Sequence, residues 1–236
     1  MTGIVIAIDG PSGVGKSTIS KRLARTYALG YLDTGAMYRA ATIHVRNFGI
    51  DLLDHDAVAR AVERMPLEMI LDPAHPRVLL EGSEVGAGLY TADVSRIVSA
   101  VATNLKVRAL MKDWQRRLID AERAGGYSEG RGVVAEGRDI TTVVAPDADV
   151  RILLTASEEA RLQRRARQRH GKDDANTLAA TRDEVLRRDA DDSTVSNFLS
   201  AADGVVTVDS SDLTPDETFV ALCGLVDAAR KERRGE

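Results

Sequence analysis

Cysteine is almost missing from this chain, which has Cys223 as its single thiol. One thiol excludes an internal disulfide and any zinc site built from several cysteines. Because Cys223 lies in the apolar run 219–223, we expect a buried and unreactive side chain. Long apolar runs are missing too, and none approaches the roughly 18 residues that a membrane span requires. A predicted strand from Ile4 onward leaves no room for a secretion signal, so we expect a cytoplasmic protein without a membrane segment.

The chain also lacks an excess of positive charge. It has 32 Lys and Arg residues against 36 Asp and Glu residues, which gives a net charge of −4. General nucleic-acid binders and proteins of anionic membrane surfaces are usually basic, so we expect neither partner. The length of 236 residues suits one domain, and a hydrophobic content of 44% is ample for its core. We predict a single, monomeric domain whose function depends on local clusters of charge.

The most informative segment reads GPSGVGKS and fits the pattern G-x-x-x-x-G-K-[ST] of a phosphate-binding loop. An apolar strand pattern enters it, and an amphipathic helix pattern leaves it. Such a loop wraps backbone N–H groups around a phosphate, and the helix N-terminus adds its positive dipole. Lys16 then reaches the β- and γ-phosphates, and the Ser17 hydroxyl binds Mg²⁺. The residues predicted to bind a nucleoside triphosphate, which we expect to be ATP, are Gly10, Pro11, Ser12, Gly13, Val14, Gly15, Lys16, Ser17 and Thr18.

Short apolar runs alternate with amphipathic stretches, a pattern typical of a doubly wound α/β sheet. Strands are predicted at residues 4–8, 132–136, 150–154 and 205–209, with a fifth that ends at 31–32. Helices are predicted at residues 16–27, 36–48, 94–123, 157–170, 177–189 and 215–233. Residues 66–90 break the alternation, because they carry short strand patterns and a turn at 82–84. We expect this segment to be a substrate-binding flap inserted into the core.

Two clusters that pair an arginine with an acid follow the loop. The first, DTGAMYR at residues 33–39, leaves a short strand and should face the phosphate loop. Its alternative interpretation is a helix cap at Asp33 or Thr34 with Arg39 on the surface. The second, EGRD at residues 136–139, ends a strand near the sheet centre, where a binding site is favoured over a surface Arg–Asp pair.

A third cluster is rich in arginine and covers residues 161–169 and 187–189. It is either a solvated helix face balanced by nearby acids or a mobile lid that carries guanidinium groups to a transferring phosphoryl group. Guanidinium groups match phosphate oxygens and stabilise the charge that spreads over them. On the lid interpretation, the predicted catalytic residues are Lys16, Arg161, Arg164 and Arg165.

Taken together, these motifs resemble the bacterial cytidylate (CMP/dCMP) kinase family of nucleoside monophosphate kinases. The matching segments are GPSGVGKST (10–18), LDTGAMYR (32–39), Ser99 with Arg108 nine residues later, EGRD followed by TVV (136–144), PDADV (146–150) and RRDADDS (187–193). They occur in the family's order and extend from about residue 4 to residue 210.

The resemblance implies a P-loop NTPase fold with a five-stranded parallel sheet flanked by helices, a small CMP-binding insert and a helical lid. The implied core covers residues 1–54 and 99–236, the insert about 55–98 and the lid about 157–172. Ser99, Arg108 and Asp139 would read the cytosine edge, and Asp192 would hold the sugar hydroxyl. Arg39, Arg138 and Arg188 would hold the CMP phosphate. Asp33 and Thr34 complete the implied substrate site, with Asp33 as an outer-shell carboxylate for Mg²⁺, and the substrates would be ATP and CMP or dCMP.

The chain departs from the family pattern at two places. Ala145 replaces an aromatic residue, and Val195 stands where the family usually has a further phosphate-contacting arginine. The loop 193–202 is also shorter than usual and lacks a Pro-Leu pair. These changes affect what we expect of this loop and leave the expected fold unchanged.

Other classes of P-loop protein lack their signals here. A GTPase-type switch requires N-K-x-D and a D-x-x-G segment after a strand, and the chain has neither. An ATPase that acts on a macromolecule would need an apolar strand that ends in Asp-Glu, whereas the strand at 132–136 continues into Gly-Arg-Asp. Within the kinases, UMP, AMP or shikimate remains the alternative acceptor.

Overall fold

Strands and helices alternate along the computed structural model, which describes residues 3–235 without the side chains of His170, Asp183 and Glu184. The strands are β1 (Ile4–Asp9), β2 (Gly30–Asp33), β3 (Leu67–Ile70), β4 (Arg77–Leu80), β5 (Ser83–Glu84), β6 (Gly132–Gly137), β7 (Val150–Thr155) and β8 (Val206–Asp209). The α-helices are α1 (Lys16–Tyr27), α2 (Thr34–Asn47), α3 (His55–Glu63), α4 (Ala92–Ala102), α5 (Leu105–Ala124), α6 (Glu158–His170), α7 (Ala175–Ser193) and α8 (Pro215–Arg234). A 3₁₀ helix covers Gly86–Tyr90 and a π-helical turn covers Ile140–Val144.

Five parallel strands form the central sheet in the order β2-β6-β1-β7-β8. Strand β1 lies in the middle and is buried along its whole length, because its apolar residues face helices on both sides of the sheet. Asp9 pairs with Gly137 of β6, and Asp33 of β2 pairs with Glu136. The carboxyl ends of β1, β2 and β6 therefore meet at one edge. The predicted α/β fold with a five-stranded parallel sheet is confirmed.

A second sheet contains the antiparallel strands β3, β4 and β5, and it covers the segment that breaks the alternation. Leu67 pairs with Leu80, and both side chains pack into the same hydrophobic cluster as Met37 of α2. This short sheet has no core of its own, since its apolar side chains share the cluster on one face of the central sheet.

The prediction of one continuous helix over 94–123 is wrong, because the structure divides this segment into α4 and α5. Asn104 lies between the two helices. Its Oδ1 accepts hydrogen bonds from the N–H groups of Lys106 (3.0 Å) and Val107 (3.3 Å) and so caps the N-terminus of α5. Its Nδ2 donates to the His55 carbonyl at 2.9 Å. Helix α3, which this bond holds in place, was not predicted from the sequence.

Two further expectations concern burial and membrane spans. Cys223 is only partly buried against the cluster around β1 and α8, so the expectation of a buried thiol is right in part. Burial raises the pKa of this thiol, as expected for an unreactive side chain. Between residues 3 and 235, no helix is long and apolar enough to cross a membrane.

Asp9 connects the end of β1 to the chain that follows β6. Its carboxylate, which is 1% exposed, accepts hydrogen bonds from the N–H groups of Ile140 (2.9 Å) and Thr141 (2.7 Å). It also accepts one from the Thr141 hydroxyl at 2.7 Å. These bonds fix the π-helical turn, and with it the direction in which residues 136–139 leave the sheet.

Replacing Asp9 with alanine should lower the free energy of unfolding by about 2–4 kcal/mol, because three buried donors would lose their acceptor. Urea denaturation followed by circular dichroism measures this difference. As a control, Asp56→Ala removes only an exposed ion pair with Lys106 and should cost less than about 1 kcal/mol. Equal losses in the two variants would contradict the role of Asp9.

Candidate active site

A cavity of about 810 Å³ lies where β1, β2 and β6 end at the same edge of the sheet. Its main lining residues are 12–19 and Lys21 of the phosphate loop and α1, Asp33 at the end of β2, residues 136–138 at the end of β6, Arg39 of α2, Arg164, Arg165 and Arg167 of α6, and Arg188 of α7. Ligands of open α/β sheets bind beyond the carboxyl ends of strands. The cavity is therefore the candidate active site, and we refer to it as the cleft.

The phosphate loop has the geometry that an anionic ligand needs. The Lys16 ammonium donates hydrogen bonds to the carbonyl groups of Gly10 (2.7 Å) and Pro11 (2.9 Å). Gly13 and Gly15 have φ angles of 84° and 96°, a region that favours glycine. No side chain of the described residues caps α1 at Gly15, so its first N–H groups and the positive end of its dipole face the cleft. Burial, followed by repulsion from nearby arginines, lowers the pKa of Lys16.

Glu136 stands opposite the loop, and sequence analysis gave it no individual role. Its carboxylate is 3% exposed and accepts a hydrogen bond from the Tyr31 hydroxyl. Burial, followed by repulsion from Asp33, raises the pKa of Glu136, while Lys16 and a hydrogen bond from Ser17 act in the opposite direction. The signal that could have identified it is its place as the acid that ends a central strand.

The oxygen atoms of Ser17, Asp33 and Glu136 form a hard donor set of the kind that Mg²⁺ prefers. Among the described residues, no group of three or more His, Cys, Asp or Glu side chains is arranged to hold a metal ion. A magnesium ion here would take its other ligands from phosphate oxygens and water, as this ion commonly does.

Asp189 of α7 joins three separate parts of the site. Its Oδ1 accepts hydrogen bonds from the Ser12 N–H (3.1 Å) and from Arg138 (2.7 Å), and its Oδ2 accepts one from Arg161. Arg161 also donates to the Ser12 carbonyl at 3.1 Å, and its guanidinium lies behind the loop, since this residue is not one that lines the cleft. The three partners of Asp189 are 28 to 177 residues away in the chain, so no local pattern identifies it.

Asp33 and Thr34 both lie at the start of α2, but only Asp33 lines the cleft. Asp33 accepts hydrogen bonds from the N–H of Ala36 (3.0 Å) and from the Tyr90 hydroxyl (3.2 Å), so it caps the helix and also faces the ligand space. Thr34 is buried and donates its hydroxyl to the Glu136 carbonyl at 2.7 Å. Its contact connects β2 to β6 and does not reach the cleft.

Three arginines with predicted phosphate contacts, Arg39, Arg138 and Arg188, line the cleft together. Arg39 is buried and not a surface residue, since its Nη1 donates to the Leu89 carbonyl (2.9 Å) and the Ser95 hydroxyl (3.0 Å). Arg169 of α6 donates to the same hydroxyl at 3.0 Å. Burial, followed by repulsion from Arg138 and Arg39, lowers the pKa of Arg188 to about 9.

The residues with predicted contacts to the base and the sugar lie beside this arginine group. Arg108 pairs with Asp139 at 2.5 Å, and Asp192 pairs with the Nε of Arg138 at 3.1 Å. Burial raises the pKa of Asp139 to about 6, although Arg108 acts in the opposite direction. Ser99 is half-buried on α4, and none of these four predicted residues is among the described residues that line the cleft.

The arginines of α6 differ in what they contact. Arg164 lines the cleft but is also held at its base: it donates to the hydroxyl (3.0 Å) and carbonyl of Ser210 and to the Val14 carbonyl (3.3 Å). Arg165 also lines the cleft and donates to Gln168 on the same helix at 2.8 Å. Helix α6 therefore brings Arg164 and Arg165, besides Arg167, to the cleft while it is fastened to the chain after β8.

Known proteins with similar sequences belong to one family. A family profile described as Cytidylate kinase matches residues 6–227 of the chain. A cytidylate kinase of Rhodococcus opacus is 46% identical over 222 residues, which is 94% of this chain and 93% of the relative. A cytidylate kinase of Rhodococcus jostii is 47% identical and covers 93% of both chains. One of Nocardia farcinica is 44% identical and covers 95% of this chain and 94% of its own.

Replacing Asp189 with alanine should lower the free energy of unfolding by about 3–5 kcal/mol, because the buried Arg161 would lose its carboxylate partner and Arg138 would lose one of its two. The side chains of Arg138 and Arg161 are 13% and 10% exposed. Thermal and urea unfolding measure the loss. The control is Asp216→Ala, which breaks an ion pair with Arg22. Because the Asp216 side chain is 81% exposed, this change should alter the free energy of unfolding by less than about 1 kcal/mol. A similar small change for Asp189→Ala would refute the assigned role.

Proposed function

We propose that this chain, which belongs to the cytidylate kinase family, transfers the γ-phosphoryl group of ATP to CMP or dCMP. One observation carries the proposal: the phosphate loop and the arginines Arg39, Arg138 and Arg188 line the same cleft. A donor phosphate at the loop and an acceptor phosphate at the arginines would then lie side by side. The products would be ADP and CDP or dCDP.

On the donor side, residues 10–18 would hold the ATP phosphates through backbone N–H groups and the dipole of α1. Lys16 would contact the β- and γ-phosphates, where its charge is most useful as negative charge moves in the transition state. Ser17 would be a direct ligand of Mg²⁺, with Asp33 and Glu136 placed to accept hydrogen bonds from water around the ion. When bound, this ion would neutralise part of the charge on the two phosphates.

On the acceptor side, the chemistry demands position and charge more than proton transfer. A phosphate oxygen of CMP is already deprotonated at neutral pH, so no general base is required. Arg39, Arg138 and Arg188 would hold this phosphate and offset its repulsion from ATP. Arg165, on α6, would approach the transferring group, while Arg164 would both face it and fasten the helix.

Base recognition would depend on Asp139, with Arg108 and Ser99 as its neighbours and Asp192 at the sugar. Cytosine presents an amino donor where uracil presents a carbonyl acceptor, and a carboxylate can only accept hydrogen bonds. A buried polar site of this kind leaves its groups unpaired when the wrong base enters, which is how large discrimination arises.

The same proposal includes an organisation of the chain. The core would comprise residues 1–54 and 99–236, the CMP-binding insert about 55–98 and the lid about 157–172. The three-stranded sheet falls within the insert range and helix α6 within the lid range, and these two separate elements support this division. We also propose a monomer located in the cytoplasm.

An assay that couples ADP formation to NADH oxidation tests the proposal with CMP, dCMP, UMP and AMP as acceptors and Mg²⁺ present. We expect CMP and dCMP to exceed UMP and AMP in kcat/KM. Lys16→Ala should lower kcat by orders of magnitude with an unshifted melting curve. Preference for AMP, or ATP hydrolysis that needs no acceptor, would overturn the proposal.

Asp139→Asn should narrow the ratio of kcat/KM for CMP over UMP by at least about tenfold, since the amide can turn a donor toward uracil. The wild-type kcat/KM for CMP should also fall as the pH drops through about 6, because burial raises the pKa of Asp139 to that value and protonation removes negative charge and acceptor capacity from the group that would face the cytosine amino group. Steady-state kinetics between pH 5 and pH 8 measure both effects.

The variant itself is the control for the pH profile. The phosphate of CMP titrates near pH ~6 as well, and this titration is the same for both proteins. The difference between the two profiles therefore belongs to Asp139. Parallel profiles, or an equal decline for CMP and UMP, would mean that Asp139 only anchors Arg108.

A further inference from the structure

Arg138 is held on three sides by one short segment of the chain. Its Nη1 donates to Asp189 at 2.7 Å, and its Nε lies 3.1 Å from a carboxylate oxygen of Asp192. The centre of its guanidinium lies 4.3 Å from the centroid of the Phe198 ring. All three partners come from residues 189–198, at the end of α7 and in the loop that follows it.

Phe198 is an unusual residue for this loop. Its ring is 0% exposed, whereas the neighbouring Leu199 is 60% exposed. Among the described residues, neither of the two large hydrophobic clusters includes Phe198. The main sheet therefore does not account for its burial, and a guanidinium is packed over its face. A cation that is withdrawn from water gains more from an aromatic face than an exposed one does.

The ring constrains Arg138 without using any of its donors. Nη1 donates a hydrogen bond to Asp189 and Nε forms an ion pair with Asp192, and no described residue accepts a hydrogen bond from Nη2. Since Arg138 lines the cleft, Nη2 is the group available to an anion there. A guanidinium recognises phosphate through a rigid planar fork, so the orientation of that plane decides whether Nη2 meets the ligand.

We propose that Phe198 is a positioning residue for the acceptor phosphate: its ring fixes the plane of Arg138 and so offsets the loss of a guanidinium at Val195. This inference rests on the proposed function, in which Arg138 binds the phosphate of CMP. Val195 lies three residues before Phe198 in the same loop, so one segment both lacks the arginine and supplies the ring.

The test uses phenylalanine analogues with one, two and three ring fluorines at position 198, because fluorine weakens the negative face of the ring and changes its shape little. The KM for CMP and the Kd for CMP should rise stepwise, by about 3- to 30-fold over the series. The value of kcat and the KM for ATP should stay within about twofold, since the contact to the phosphate is the same in the ground and transition states.

A matched control exists elsewhere in the chain. Phe219 lies under Arg22 at 3.9 Å, and neither residue lines the cleft within the described chain. The same fluorine series at position 219 should leave all constants unchanged. Phe198→Leu provides a second variant, which should reproduce the rise in KM for CMP. Phe198→Tyr keeps the aromatic face, so it should retain most of the affinity for CMP that Phe198→Leu loses.

Three results would overturn the inference. Constants that do not change across the fluorine series would exclude an effect of the ring face. A joint decline of kcat, both KM values and the melting temperature would show that Phe198 only fills space. If Arg138→Ala leaves the KM for CMP unchanged, the proposed role of Arg138 in binding the phosphate fails as well. If Arg138→Ala raises the KM for CMP but the fluorine series has no effect, only the positioning role of Phe198 is overturned.

Discussion

Repulsion among buried cations governs the arrangement of this site. Lys16, Arg39, Arg138 and Arg188 line one cleft, and burial together with mutual repulsion lowers the pKa of Lys16 and Arg188. Positive charge of this density is unfavourable unless negative charge lies close by. Phosphate groups supply such charge when they bind, so the repulsion among these cations strengthens the attraction of the cleft for nucleotides.

The protein itself balances this charge with a small number of carboxylates. Asp192 pairs with Arg138 and Arg188. Asp189 pairs with Arg138 and Arg161 and also accepts from the N–H of Ser12. Each of these contacts connects a different element, so the charge balance also holds the phosphate loop, strand β6 and helix α6 in register. Stability and preorganisation of the cleft thus have the same physical source.

Contiguous motifs made most of the fold and part of the site predictable from the sequence. The phosphate loop carries its own turn geometry in Gly13 and Gly15, the alternation of apolar and amphipathic runs predicted a doubly wound α/β sheet, and the family resemblance implied its five parallel strands. The division between α4 and α5 was missed because Asn104 caps one helix while it binds the distant His55. The individual roles in the site remain predictions.

Contacts across the chain explain which site residues sequence analysis overlooked. The sequence identified Glu136 only as the first residue of the EGRD motif. Its individual role was overlooked because its buried hydrogen bond comes from Tyr31, which is 105 positions away in the chain. Asp189 looks like any acid on a polar helix until α7 is folded against the loop. Phe198 looks like a stray apolar residue in a polar loop, and nothing local indicates that a guanidinium covers it.

A valine at position 195, where the family resemblance predicts an arginine, is understandable within this balance of charge. A further guanidinium would contact the phosphate but would also add repulsion to a group that already includes Arg138 and Arg188. An aromatic ring adds no charge and consumes no donor, yet it restricts the orientation of the guanidinium it covers. The entropy lost when the ligand binds is then smaller, because Arg138 is already ordered. A loop without an arginine can in this way retain affinity for a phosphate by ordering Arg138, a cation from the segment that follows β6.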